Sequence, residues 1–315
     1  MSKAFRKYLE RLNNLPNIFY NKRWIVYRDI NAFVASSKKD NDKNNKIRES
    51  IIGAIINNKI PEKYYKYSRR WVTLKRATEL YVYELANLQP CNISNIRLIH
   101  KGSRKYNYDF TIIANDTEYN IELKFNAENI EDAPQFVSPI KTDKYMSQSY
   151  EEYYYDNYLP QLISRDNEKY PERNVYLKEI HGNKPKCMNY FQDVYYKGCK
   201  NSSRYTGDKE SADFYELSNN IDKISRKAFV NIADLNIRAL SQYLQETQKN
   251  KIYMLYKNNR FHIQIANIED YELVRWERYP EKFKYIAYSA SGKHIDILLR
   301  WKNGNGIAFP AFQIS

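Results

Sequence analysis

Apolar residues recur along this chain with two different periods, and the switches between them outline its elements. Trp71, Leu74, Ala77, Tyr81, Leu85 and Leu88 return every three or four positions, which predicts an amphipathic helix over 71–88, with Pro90 just past its end. Three runs rich in β-branched and aromatic residues follow, Ile96–His100, Tyr108–Ala114 and Glu118–Phe125, and read as strands. The helical period returns at Ile221, Ile224, Ala228, Leu235, Ala239, Tyr243 and Leu244. Ile252–Tyr256 and Phe261–Ile265 then flank Asn258-Asn259, and His294–Trp301 and Ile307–Ile314 flank Asn303-Gly304-Asn305-Gly306, two hairpin signals. Residues 1–60 read as helices joined by a polar linker from Lys38 to Lys46. Residues 141–215 are polar and tyrosine-rich, and too long for a passive loop.

The order helix, three strands, long insertion, helix, strands predicts an α/β sandwich with a central mixed β-sheet flanked by helices. It divides the chain into an N-terminal helical region (1–62), a core (63–140 and 216–315, with the C-terminal strands) and an insertion (141–215).

Composition narrows the function classes. The 315 residues carry 51 Lys and Arg against 37 Asp and Glu, a net charge of +14, and 31 tyrosines. Such a charge attracts polyanions without regard to sequence, and tyrosine offers both a ring face and a hydroxyl to nucleic acid. No apolar run is long enough to span a membrane, and the start, Met1 to Asn14, lacks the apolar segment of a secretory signal. Three cysteines cannot build a disulfide framework, so a reducing, cytoplasmic setting is expected. No glycine-rich phosphate loop is found among the eight glycines, which argues against an ATP-driven machine.

The segment with chemistry runs from Tyr108 to Phe125. Asn115-Asp116 suits a two-residue hairpin turn, and placing the turn there pairs Ala114 with Thr117 and sets Asp109 opposite Glu122. Side chains alternate along a strand, so Phe110, Ile112, Tyr119, Ile121, Leu123 and Phe125 share the core face, while Asp109, Glu122 and Lys124 share the other. Opposed β-carbons lie about 4.5–5.5 Å apart, and like charges there repel. A divalent cation removes that repulsion, and hard oxygen donors suit Mg²⁺. The alternative is a half-exposed hairpin whose polar face is merely solvated, on a DNA-binding protein that is not an enzyme.

Asp109 followed by Ile121-Glu122-Leu123-Lys124 resembles the PD-(D/E)XK nuclease superfamily, with its acidic residue opening one strand and E-x-K on the next. Tyr108 stands where the family usually has proline. The resemblance covers about residues 70–137, and extends to the helix and strand at 221–256. It implies a restriction-endonuclease-like fold and Mg²⁺-dependent hydrolysis of double-stranded DNA, as in a type II restriction endonuclease acting as a homodimer beside a cognate DNA methyltransferase. A nonspecific phage or repair nuclease of the same fold is the neighbouring reading. Asp109 and Glu122 are then the metal ligands, with the backbone carbonyl of Leu123, and Lys124 positions or activates the attacking water. Many members add a glutamate from the preceding helix. Glu79 fits the family spacing and Glu84 lies nearer the apolar stripe, with Glu79 favoured.

Lys63-Tyr64-Tyr65-Lys66-Tyr67-Ser68-Arg69-Arg70 interleaves cations with aromatics, which makes Lys63, Lys66, Arg69 and Arg70 candidates for phosphate contact. Gln135 follows the E-x-K strand and is a candidate to line the DNA path. His181, Cys187 and Cys199 could supply three zinc ligands, but no fourth is evident.

Overall fold

A computed structural model describes residues 14–34, 41–87, 96–101, 106–133, 135–137, 142–163, 171–182, 186, 188–302 and 304–315. In chain order the elements are β1 (Ile18–Tyr20), β2 (Arg23–Ile25), α1 (Asn41–Ile56), α2 (Glu62–Tyr67), α3 (Arg69–Asn87), β3 (Ile96–His100), β4 (Phe110–Ala114), β5 (Thr117–Phe125) and β6 (Gln135–Phe136). Six helices follow: α4 (Tyr150–Asn157), α5 (Leu159–Ile163), α6 (Arg173–Gly182), α7 (Asn189–Gly198), α8 (Lys209–Ile232) and α9 (Ile237–Gln248). The chain closes with β7 (Ile252–Lys257), β8 (Arg260–Ile265), β9 (Leu273–Tyr279), β10 (Lys284–Ser289), β11 (His294–Lys302) and β12 (Phe309–Ile314).

These elements form two compact units, Met1–Ala133 with Lys249–Ala266, and Pro134–Gln248 with Asn267–Ser315. In the first, a five-stranded sheet runs in the order β3-β4-β5-β7-β8. Only the β5–β7 pair is parallel, with Ile121 beside Ile252 and Lys124 beside Leu255. A parallel neighbour requires a long crossover, and here the crossover is the whole stretch from Pro134 to Gln248. The core packs Ile51 and Ile55 of α1 and Trp71, Leu74, Tyr81 and Leu85 of α3 against Phe110, Ile112, Ile121 and Met254 of the sheet. Two of the large buried side chains anchor loops by hydrogen bonds: Trp71 Nε1 donates to the Tyr27 carbonyl at 3.0 Å and Tyr64 Oη to that of Pro16 at 2.7 Å.

The second unit has an antiparallel sheet in the order β6-β12-β11-β10-β9. Tyr150 of α4 packs between Phe229 of α8 and Trp301 of β11, and its hydroxyl bonds Ser225 at 2.8 Å.

The coarse α/β reading with a mixed central sheet agrees with this architecture, but three boundaries change. The polar stretch expected to link N-terminal helices provides, from Asn41 onward, the first turns of α1, and residues 18–25 are a hairpin. The N-terminal region therefore packs into the first unit instead of standing apart as 1–62. The C-terminal strands do not extend the core sheet: β9 to β12 bond to one another and to β6, which draws 267–315 into the second unit with the tyrosine-rich insertion. The helical stretch expected over 221–244 is two helices, broken between Ile232 and Ile237.

Candidate active site

The β4–β5 hairpin turns on Asn115 and Asp116, whose φ angles of +47° and +65° are both left-handed. A two-residue turn of that kind matches the twist of the strands it joins, and Asn and Asp tolerate it better than most residues. The ladder runs from Ala114–Thr117 to Phe110–Ile121, the register read from the sequence. It does not continue to a plain Asp109–Glu122 pair. The Asp109 N–H also turns to the Ile121 carbonyl, at 2.9 Å, so two residues of one strand oppose one of the other. This is a β-bulge, which re-aims a side chain at the end of a ladder. The Asp109 carboxylate then accepts the N–H of Leu123 at 2.8 Å, which fixes it beside Glu122 and Lys124.

Glu122 and Lys124 lie two residues apart on β5 and therefore on one face. Lys124 Nζ donates to Glu122 Oε1 at 2.6 Å, with only 21% and 17% of the two side chains exposed. Two further charged groups join them. Glu49 comes from α1, and Lys251 immediately precedes β7 on the strand beside β5. Lys251 is buried, and its Nζ donates to the Asn107 carbonyl at 3.3 Å.

Burial and crowding shift the proton affinity of Asp109, Glu49 and Lys251. Burial raises the Asp109 carboxyl well above the usual carboxylate range, and the charges of Glu122 and Glu49 push it further; the Leu123 N–H and Lys124 pull the other way. Burial pushes Glu49 up to about 7, reinforced by Glu122 and opposed by Lys46 and Arg23. Burial lowers Lys251, Glu122 opposes that shift, Lys124 adds to it and Asp109 opposes it. Three carboxylates and two lysines thus share a poorly solvated volume, an arrangement common at functional sites. The acidic members present oxygen donors only, which suits a hard divalent cation. Among the described residues, no three His, Cys, Asp or Glu side chains form a ready-made ligand cage.

The helix glutamate differs from the one favoured from spacing. Glu79 and Glu84 are exposed on α3, opposite the stripe of Trp71, Leu74, Thr78, Tyr81 and Leu85 that enters the core, and Glu79 lies 3.8 Å from Lys75. The carboxylate brought to Asp109 and Glu122 is that of Glu49, on a different helix. Its sequence signal is the repeat Ile47, Ile51, Ile55 with Ile52 and Ile56, a helical stripe from which Glu49 is offset. Lys251 carries no comparable signal, since its role depends on which strand lies beside β5.

Lys63, Lys66, Arg69 and Arg70 are exposed on α2 and α3, and Arg70 Nη1 donates to Asn31 at 3.0 Å. Gln135 falls in the second unit, on β6 paired with β12. Its side chain is engaged there, donating to Tyr271 Oη at 3.0 Å and accepting from Gln248 at 2.6 Å. Of the considered zinc set, Cys187 lies outside the described residues and His181 is paired with Glu151 at 2.5 Å. No helix among the described residues is long and apolar enough to cross a membrane. No protein-family model, no curated protein and no solved structure matches this chain.

Proposed function

We propose that this protein is a Mg²⁺-dependent endonuclease that hydrolyses double-stranded DNA, of the PD-(D/E)XK, restriction-endonuclease-like kind. The observation that carries the reading is the convergence of Asp109, Glu122 and Lys124 with Glu49 and Lys251 in one poorly solvated cluster. A lone E-x-K pattern arises easily by chance. Reinforcement from two elements distant in sequence, one adding a carboxylate and one a cation, is harder to explain as a solvated face. The mixed sheet with the E-x-K strand beside a parallel neighbour also agrees with that fold.

The donor set fits the metal. Asp109 and Glu122, with the backbone carbonyl of Leu123, would hold it, and the mutual repulsion of the two carboxylates is what a cation relieves. When bound, Mg²⁺ supplies a lowered water pKa and charge stabilisation at the phosphate. The chain's own groups do the rest. The bulge at Asp109 and its bond from Leu123 N–H hold the first carboxylate in place. Lys124, tethered to Glu122, is positioned to orient the attacking water and to meet the developing negative charge. Lys251, whose Nζ donates to the Asn107 carbonyl, adds a second amine to the cluster.

The test is digestion of DNA of defined sequence with Mg²⁺, beside duplex binding in Ca²⁺. Discrete fragments are expected, consistent with a restriction enzyme; a smear would assign a nonspecific nuclease. Binding that is indifferent to Ca²⁺ and to Asp109→Asn, without any cleavage, would leave a DNA-binding protein and reject the enzyme.

A further inference from the structure

Alternation along the β1–β2 hairpin gives it two unlike faces. Ile18 pairs with Ile25 and Tyr20 with Arg23 on one face, and Phe19 pairs with Trp24 on the other. The first face is turned inward. Ile25 is buried, Ile18, Tyr20 and Arg23 are half-buried, and Tyr20 Oη accepts from Asn57 Nδ2, just past the end of α1, at 2.7 Å. The second face is bare. Phe19 and Trp24 are 61% and 62% exposed, with ring centres 5.1 Å apart, whereas Trp71 and Trp301 are buried. Asn21 and Lys22 make the turn, both left-handed at φ of +48° and +61° and both exposed.

A cross-strand aromatic pair braces a hairpin by packing alone, but the bracing uses only the edges that meet. More than half of each ring stays in water, which leaves a flat apolar surface for a partner. Two observations point to the partner. First, the hairpin belongs to the unit of the carboxylate cluster and stands beside it: Tyr20 meets His100 of β3 at 5.5 Å, and His100 meets Phe110, the residue after Asp109, at 6.3 Å. Second, its surroundings are cationic. Arg23 and Lys46 of α1 both favour the charged form of Glu49, Arg23 and Lys43 do the same for Asp29, and Lys22 stands at the tip. Such a surround complements a polyanion, while a second copy of this chain would bring like charge to the same place. DNA is the polyanion whose bases also carry flat aromatic faces.

Resting on the endonuclease reading, we propose that the β1–β2 hairpin is a DNA wedge: the ribbon enters a groove of the duplex held at the cluster, and Phe19 and Trp24 stack on bases at a step they open. A two-stranded ribbon fits the major groove, and apolar side chains wedged between base steps are a known way to kink a duplex. Lys22 at the tip meets the flanking phosphates. Every base has a ring face, so the contact tolerates sequence; because unstacking is costly, a step that is already open is preferred.

The test uses the full chain in Ca²⁺, with a fully paired duplex and the same duplex carrying a central two-base mismatch. DNA is expected to quench tryptophan fluorescence in the wild type and not in Trp24→Phe, which removes the indole but keeps a ring and the affinity. Phe19→Thr and Trp24→Thr keep good strand formers and are expected to weaken binding about tenfold, with no change in the slope of log K against log salt, since no charge is lost. The wild type is expected to favour the mismatched duplex, and Trp24→Thr to lose that preference. Thermal melting checks that the variants are folded. Wild-type affinity in Trp24→Thr, or quenching that persists in Trp24→Phe, would overturn the wedge. So would self-association lost in Trp24→Thr without any effect on DNA, which would make the face a contact between copies. Binding with these effects but no cleavage rejects the catalytic reading and keeps the wedge; cleavage and binding indifferent to both rings rejects the wedge and keeps the catalytic reading; no DNA binding rejects both.

Discussion

At the scale of residues, the cost of the cluster is the informative quantity. Burial and the charges around them raise the carboxyls of Asp109 and Glu49 above their usual range. A carboxyl whose pKa rises on folding binds its proton more tightly in the folded state. Its contribution is therefore complete below its usual value and is lost as pH rises through the folded one. For Glu49 that window runs from 4.5 to about 7. The metal-free protein should lose thermal stability across it, and Glu49→Gln should flatten the loss by several degrees; an unchanged slope would place Glu49 outside the cluster. Ca²⁺ should raise the melting temperature more at pH 8 than at pH 5, because bound carboxylates must be deprotonated. Lys251→Met should cost about 1–3 kcal/mol in chemical denaturation, since it withdraws a buried cation from carboxylates that remain. Asp109, Glu122 and Lys124 were legible in the sequence because one hairpin carries them and its turn fixes their register. Glu49 and Lys251 were not, because local pattern does not reveal which helix and strand pack beside that hairpin.

At the scale of elements, α1 is held by a close approach at Gly53. A β-carbon there would lie 2.4 Å from His100 Nε2 on β3 and 2.8 Å from Tyr20 Oη on β1. Glycine is needed for that contact, and Glu49 lies one helical turn before it. Gly53→Ala should therefore cost about 1–3 kcal/mol in denaturant unfolding through overpacking. It should also lower cleavage in the folded fraction, by shifting the helix that carries Glu49. The β4–β5 and β7–β8 hairpins were readable because Asn115-Asp116 and Asn258-Asn259 each take two left-handed conformations, which these residues accept. The bulge at Asp109 was not readable, since nothing in the local composition marks where the ladder breaks. The start of helix α1 was hidden for a similar reason: its first turn, from Asn41 to Asn44, is wholly polar and reads as a linker until tertiary packing on its apolar stripe is known.

At the scale of the whole molecule, two units share one chain through a crossover between parallel strands. Alternation and turns announce strands, but not which sheet each strand joins. The C-terminal hairpin was therefore visible, while its membership of a second sheet was not. The net charge of +14 gains meaning from the cluster, because a site rich in carboxylates needs cations elsewhere to hold a polyanion. Duplex binding should accordingly weaken steeply with salt, with log K linear in log salt, and a salt-independent affinity would detach the charge from the function. The central claim is that Asp109, Glu122 and Lys124 hydrolyse DNA. The most direct measurement is plasmid digestion in Mg²⁺ by the wild-type protein beside Glu122→Ala and Lys124→Ala, each verified as folded. Cleavage by the wild type, reduced at least a hundredfold in both variants (about 2.7 kcal/mol of transition-state stabilisation), is the expected result. No cleavage by the wild type, or equal cleavage by all three, would contradict it.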